Sequence, residues 1–273
     1  MEVFALYFSP TGNTKEVVRA LAKGISEIVS GNDFYSIDLT TKWDRASVYE
    51  FGPKDIVIIG MPTYAGRIPN KIEPYVSSSI YGKGALAIPV VTYGNRSFDD
   101  SLKELATILT ANEMLLCGGI SVPCEHAFSS NLATGRPTED DLSAIFAYGS
   151  KLGKSILEGK NKAIRLNDIP GRDMNDSQYY RPLKEDGEPA SFLKAMPVTD
   201  ESKCTGCSEC RYVCPMGCFD DSVITPAGTC IKCHGCVKAC PNGAKYFDDE
   251  DLKSHIRMLE TNFGSDIKDI YFV

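Results

Sequence analysis

The sequence predicts an α/β protein in two parts. The first is a doubly wound, parallel five-stranded sheet with helices on both faces; the second is a small α+β domain at the C-terminus. Three observations predict this. Apolar runs of strand length alternate with helix-period segments through residues 1–160. The loop Ser9-Pro10-Thr11-Gly12-Asn13-Thr14 stands between the first strand and the first helix. Residues 199–248 carry one cysteine spacing twice. A chain of 273 residues suits one larger and one smaller domain.

The elements follow in order. Residues 3–9 form the first apolar run. Residues 14–30 are helical in period, with Val17, Leu21, Ile25 and Ile28 on one side and Gly31 just past the end. Runs at 34–39, 55–60, 85–92 and 114–122 read as further strands, and 70–80, 98–112 and 139–158 as helices. Residues 161–198 are polar and turn-rich, with Ile169-Pro170-Gly171 and Asp186-Gly187-Glu188-Pro189. A connection this long is disordered or functional. Tyr179, Tyr180 and Phe192 predict that it straps across the first domain or the domain interface. Residues 249–263 read as a helix with Leu252, Ile256 and Leu259 on one face. The apolar tail 267–273 is expected to pack on the cysteine-rich domain.

Cys204, Cys207, Cys210 and Cys214 stand at C-x2-C-x2-C-x3-C, followed by Pro215. Cys230, Cys233, Cys236 and Cys240 repeat that spacing, followed by Pro241. The repeat resembles the bacterial two-cluster ferredoxins over residues 199–248. That resemblance implies two [4Fe–4S] clusters and one-electron chemistry, with the fourth ligand of each cluster drawn from the other run. It assigns Cys204, Cys207, Cys210 and Cys240 to one cluster, and Cys230, Cys233, Cys236 and Cys214 to the other. Disulfides are the alternative in an oxidising compartment, but no signal peptide opens the sequence, so a reducing cytoplasm is expected. A closed four-cysteine zinc site needs only two cysteine pairs, fewer than are present. A [3Fe–4S] cluster would fit a run that lacks a cysteine, and neither does. Aligning the runs sets Cys218 opposite Ala244, which marks Cys218 as a small packing residue rather than a ligand.

The loop at Ser9–Thr14 follows a strand and opens a helix. Hydroxyls of Ser9, Thr11 and Thr14 can donate to phosphate oxygens, Gly12 lets the backbone come close, and the helix start adds N–H groups. It carries no Lys or Arg, and it matches neither the Walker loop nor the G-x-G-x-x-G turn. The alternative is a capped helix start. Two more loops fall at strand ends, where open α/β sheets bind ligands. One is Gly60-Met61-Pro62-Thr63-Tyr64-Ala65-Gly66-Arg67; the other is Thr92-Tyr93-Gly94-Asn95-Arg96. Together these loops resemble those of flavodoxins. The resemblance implies FMN, with phosphate on the first loop, the isoalloxazine between the other two, and Tyr64 or Tyr93 covering a ring face. Through Tyr93-Gly94-Asn95-Arg96-Ser97-Phe98-Asp99-Asp100 and Gly135-Arg136-Pro137, the whole chain resembles the bacterial flavodoxin–ferredoxin fusion proteins.

Arg96 has two readings: a cation at the flavin or phosphate, or a solvated charge before a helix capped by Ser97 with Asp100 as its capping-box partner. Arg67 has the same two. His126 closes Val122-Pro123-Cys124-Glu125-His126 at the fifth strand's end, where it is a proton-donor candidate or an ordinary hydrogen-bonded His. Cys117 reads as core, Cys124 as a thiol without an activating base, and Glu125 as exposed. The net charge of −7 without a basic stripe argues against nucleic acid. No apolar run approaches the ~20 residues of a membrane span. Two function classes follow. One is electron transfer between clusters and FMN, serving a ferredoxin or flavoprotein partner. The other is a ferredoxin-fed reductase of a small organic substrate above the flavin.

Overall fold

A computed structural model describes residues 1–31, 33–221 and 223–273. The N-terminal part contains β1 (Glu2–Tyr7), α1 (Asn13–Val29), β2 (Tyr35–Asp38), β3 (Tyr49–Glu50), β4 (Asp55–Pro62), α2 (Glu73–Ser79), β5 (Ile80–Tyr81), β6 (Leu86–Tyr93), α3 (Ser101–Ala111), β7 (Leu115–Leu116), β8 (Ile120–Pro123) and α4 (Glu139–Leu157). The C-terminal part contains β9 (Pro197–Thr199), α5 (Glu209–Tyr212), α6 (Gly235–Lys238), β10 (Lys245–Phe247), α7 (Glu250–Phe263) and β11 (Tyr271–Phe272).

The central sheet runs β2-β1-β4-β6-β8, all parallel, and β3 with β5 forms a separate two-residue parallel pair. This is the doubly wound order, with its switch point between β1 and β4. The run from Ile56 to Met61 is buried on both faces because helices cover both. Side chains alternate between the two layers: Ile56 and Ile58 pack with Val17 and Leu21 of α1, whereas Val57 and Ile59 pack with Leu105 of α3. Within α1, Val17, Leu21 and Ile25 are buried and Ile28 is exposed. Helices α1 and α4 meet backbone to backbone. A Cβ on Gly149 would lie 2.6 Å from the Leu21 oxygen, and one on Gly24 would overlap the Phe146 carbonyl.

Two expectations change. The strand expected over 114–122 breaks into β7 and β8 at Gly118-Gly119, and α3 starts at Ser101. The tail does not pack on the cysteine-rich domain. β11 pairs antiparallel with β8 as a further strand of the central sheet, and Gly119 exchanges backbone hydrogen bonds with Val273 at 3.2 and 2.9 Å. That edge of β8 carries backbone donors and acceptors which the apolar tail satisfies.

The segment 161–198 is a strap. Ile169 enters the core beneath α3. Further on, Arg172 and Ser177 bind the Asp100 carboxylate, and Tyr180 N–H donates to Ala65 O at 2.8 Å. The strap then reaches α7, where Ser191 N–H donates to Asp251 and Arg257 pairs with Glu185. In the C-terminal part, β9 and β10 form an antiparallel pair that brackets both cysteine runs, and α5 and α6 carry Cys210 and Cys236.

Candidate cofactor site

The C-terminal ends of the parallel strands open into a cavity of about 780 Å³. Thr11, Asn13 and Thr14 line it on one side. Pro62, Thr63, Tyr64, Ala65 and Gly66 line it from the second loop, and Thr92, Tyr93, Gly94 and Arg96 from the third. His126 and Phe128 add the end of the fifth strand. Tyr179, Tyr180 and Phe192 of the strap roof it, with His255 and Leu259 of α7. Tyr179, Tyr180 and Phe192 of the strap thus lie over a cavity that both parts of the chain wall.

Ser9, Gly12, Arg67 and Asn95, all singled out in the sequence, lie off the cavity wall. Ser9 Oγ accepts from Lys15 N–H at 3.0 Å, and Ser9 N–H donates to Thr40 Oγ1 at 2.9 Å, which shapes the loop. Gly12 is the residue before α1, with φ 96°, a conformation that favours glycine. Asn95 is fully buried and holds the C-terminal segment: its Nδ2 donates to Phe263 O at 2.7 Å and to Asp266 O at 2.8 Å. Only the partners reveal that use, because they lie more than 160 residues away.

The N-cap residue of α1 is Gly12, which has no side chain to cap with, and Ser9 Oγ takes the first-turn N–H of Lys15 instead. The hydroxyl of buried Thr14 pairs with Thr92 Oγ1 at 2.7 Å, and Asn13 Nδ2 donates to Glu125 O at 3.1 Å. Neutral hydroxyls and a helix N-terminus therefore face the cavity, a donor set that suits a phosphate. Burial pushes the Tyr93 hydroxyl up to about 12. Desolvation, and then the charges of Cys233 and Cys230, push the Tyr64 hydroxyl well above its ordinary value. Tyr64 therefore stands next to the second cysteine run.

The two arginines are not free. Arg96 pairs with Asp99 and lies over the Tyr180 ring at 3.9 Å. Arg67 pairs with Glu104 and faces the Tyr179 ring at 5.2 Å. Both act as struts between the loops and the strap, a third role beside the two read from sequence. Asp100, not Ser97, precedes α3, and its carboxylate holds the strap. Glu125, expected to be exposed, is half-buried in an ion pair with Lys238 of the C-terminal part at 2.6 Å.

His126 packs its ring flat on the third loop. A Cβ at Gly94 would overlap the ring, so Gly94 makes room for the imidazole. Phe128 N–H donates to Nδ1 at 3.0 Å, which places the proton of the neutral ring on Nε2. Burial, then the positive fields of His255, Lys238 and Arg96, lower its pKa from 6.5 to about 4. The sign follows from linkage. Between pH 6.5 and about 4 the unfolded chain binds a proton that the folded chain does not. Stability present above pH 6.5 is lost as pH falls through that window, on the order of 3 kcal/mol from this group. Denaturant titrations between pH 4 and 7 are expected to show a steeper loss for the native protein than for His126→Gln; parallel curves would refute this. Cys117 and Cys124 are buried, and burial raises both thiols, so neither is a nucleophile.

The cysteine runs are not equivalent. Cys214, Cys218, Cys230, Cys233 and Cys236 line one small void, and all but Cys218 are the thiols that the ferredoxin resemblance groups together. Among the described residues, no three His, Cys, Asp or Glu side chains gather closely enough to hold a single ion. The thiols surround a space instead, which suits a multi-iron cluster. Cys204 and Cys207 both lie near enough to Cys210 to bear on its thiol. Asn242 Nδ2 reaches Thr205 Oγ1 at 3.3 Å, drawing the turn after Cys240 to that loop. Backbone N–H groups point at the sulfurs: Cys218 N to Cys214 Sγ and Ala244 N to Cys240 Sγ, both at 3.2 Å. Cys218 is buried beside them, packed with Phe219 and Val223.

Cys207 is exposed, whereas Cys233 and Cys236 are buried. The second run docks on the first domain. Cys230, Ile231, Lys232 and Cys233 form part of the cavity wall, and a Cβ on Gly235 would stand 3.0 Å from the Pro10 carbonyl. The matching position in the first run is Glu209, too large for that contact. This glycine–glutamate difference is the sequence signal that tells which run faces inward.

Residues 197–220 match a family model described as a 4Fe-4S binding domain, and residues 227–243 match a second of the same description. The C-terminal part is thus a pair of [4Fe–4S] binding units, joined to a doubly wound sheet of flavodoxin-like strand order. No curated protein sequence matches the chain. Among solved structures, a flavodoxin from the domain Archaea aligns at 17% identity and TM-score 0.41, over 57% of this chain and 99% of its own. The flavodiiron core Flv1 from Synechocystis sp. PCC6803 aligns at 16% and 0.41, over 58% of this chain and 36% of its own. A Streptococcus pneumonia TIGR4 flavodoxin aligns at 16% and 0.39, over 57% and 99%. Among the described residues, no helix is long and apolar enough to cross a membrane.

Proposed function

We propose that the chain carries electrons between its two [4Fe–4S] units and an FMN held in the 780 Å³ cavity. The observation that carries this reading is the shared wall: Cys230 and Cys233 belong both to the cluster void and to the cavity. Exposed Cys207 marks the cluster of Cys204, Cys207, Cys210 and Cys240 as the port for a ferredoxin or flavoprotein partner. The cluster of Cys214, Cys230, Cys233 and Cys236 is the inner relay. Bound FMN supplies one- and two-electron chemistry. Thr11, Asn13, Thr14 and the start of α1 hold its phosphate, while Ser9 and Gly12 set the loop's course. Pro62 to Gly66, with Thr92, Tyr93 and Gly94, hold the ring, and Arg96 with Asn95 fixes the third loop against the strap and tail. The fusion replaces a diffusive encounter with a fixed contact.

A second reading, reduction of a small organic substrate in the same cavity, is favoured by the roof of Tyr180, Phe192 and His255. His126, with its proton on Nε2, is the donor available there.

Protein purified without oxygen is expected to hold about eight irons and one flavin per chain. Zinc without iron would overturn the cluster assignment, and iron without flavin the cavity assignment. Flavin reoxidation that needs no substrate supports the carrier. Turnover that depends on one small acceptor, and that slows in His126→Gln while cluster-to-flavin transfer does not, supports the reductase.

A further inference from the structure

We infer that His234 donates an Nε2–H···S hydrogen bond to the sulfide of the inner cluster, and that this bond sets the inner cluster's potential above that of its outer twin. The inference rests on the two-cluster reading above.

His234 lies between Cys233 and Cys236 and is 6% exposed. Its ring is held on both faces, stacked on Phe247 at 4.4 Å and 10° and tilted against Phe128 at 4.4 Å and 35°. With both faces covered, only the ring edge is left for polar contact. Nε2 is buried and has no hydrogen-bond partner in the protein, one of three such side-chain atoms among the described residues. A buried polar group without a partner is costly and calls for one that protein atoms do not supply. The void that His234 lines contains Cys214, Cys230, Cys233 and Cys236. Thr229, Cys218 and Met216 apart, the remaining walls are apolar side chains such as Phe219 and Phe247. None of the cysteine sulfurs there is bonded to Nε2, which leaves the sulfide of the cluster as the acceptor, and since sulfide only accepts, the imidazole is the Nε2–H tautomer.

The other cysteine run is an internal control. His234 stands four residues after Cys230, and Ser208 stands four after Cys204. Both backbones are left-handed, with φ 57° and 66°. Ser208, however, turns its hydroxyl back to Gly206 O at 3.4 Å and is only half-buried. The same backbone thus presents a buried, unpaired donor at one cluster and a small, internally satisfied one at the other. A hydrogen bond to sulfur stabilises the reduced, more negative cluster and raises its potential. The difference makes electron flow from the exposed cluster to the cavity downhill.

The test replaces His234 by Phe, which keeps the ring between Phe128 and Phe247 and removes the N–H. In an EPR-monitored redox titration of the full chain, with signals assigned against Cys207→Ser, the inner midpoint is expected to move negative and the outer one to stay. An unmoved inner midpoint at full iron content overturns the inference. Should His234→Phe lose the cluster, the native protein decides. Labelled with ¹⁵N-histidine and reduced, it is expected to show a histidine nitrogen coupling by pulsed EPR at one cluster. A cluster signal without that coupling overturns the inference alone. The absence of any cluster signal overturns the two-cluster reading and this inference with it.

Discussion

Cys233→Ala is expected to halve the iron of the protein, from about eight to about four per chain, and to isolate the flavin from external one-electron donors. The thiol is buried, and it lines both the cluster void and the cavity. Alanine cannot ligate iron, whereas serine retains an oxygen that can. The outer set of Cys204, Cys207, Cys210 and Cys240 keeps all four ligands, so its absorbance should persist. Flavin bound through Thr11 and Thr14 should persist too. What fails is the link: flavin reduction by a reduced ferredoxin, followed by stopped flow, should fall to the rate of direct encounter. Full iron content, or an unchanged rate, would refute the assignment of the inner relay.

The second large effect is expected for Thr11→Glu. Thr11 lines the cavity just before α1. A carboxylate at a helix start is favourable for the helix, so the fold should hold. The same carboxylate occupies the place of a phosphate and repels one. Losing a hydrogen bond to a charged group is worth about 1.5–3 kcal/mol, or roughly 10- to 100-fold in affinity before repulsion is counted. Flavin should therefore be lost on gel filtration while the cluster absorbance is unchanged. Flavin retained at native affinity would remove the phosphate from this loop.

The sheet was legible in the sequence because β4 and β6 are unbroken apolar runs and α1 keeps its buried stripe at Val17, Leu21 and Ile25. The two [4Fe–4S] binding units were legible because the cysteine spacing within each run is local. What escaped depended on distant partners. The apolar tail looks like packing for the nearby cysteine-rich domain, because its true partners, Ile120 and Ser121 of β8, lie about 150 residues before Tyr271 and Phe272. The apolar face expected on α7 through Ile256 runs instead through His255, because the helix packs against the strap, where Leu183 O meets Nδ1 at 2.8 Å. Arg67 and Arg96 read as free cations because Tyr179 and Tyr180, which cover them, come more than 80 residues later.

The return of the chain to the central sheet has a mechanical consequence. The iron–sulfur unit is entered from the strap, anchored on Asp100, and left through a tail locked into β8. A module tethered at one end can swing; one pinned at both ends, with Gly235 seated on Pro10 between the pins, cannot. The gap between relay and cavity is then a fixed property of the chain, and rates across it should not respond to viscosity or to protein concentration.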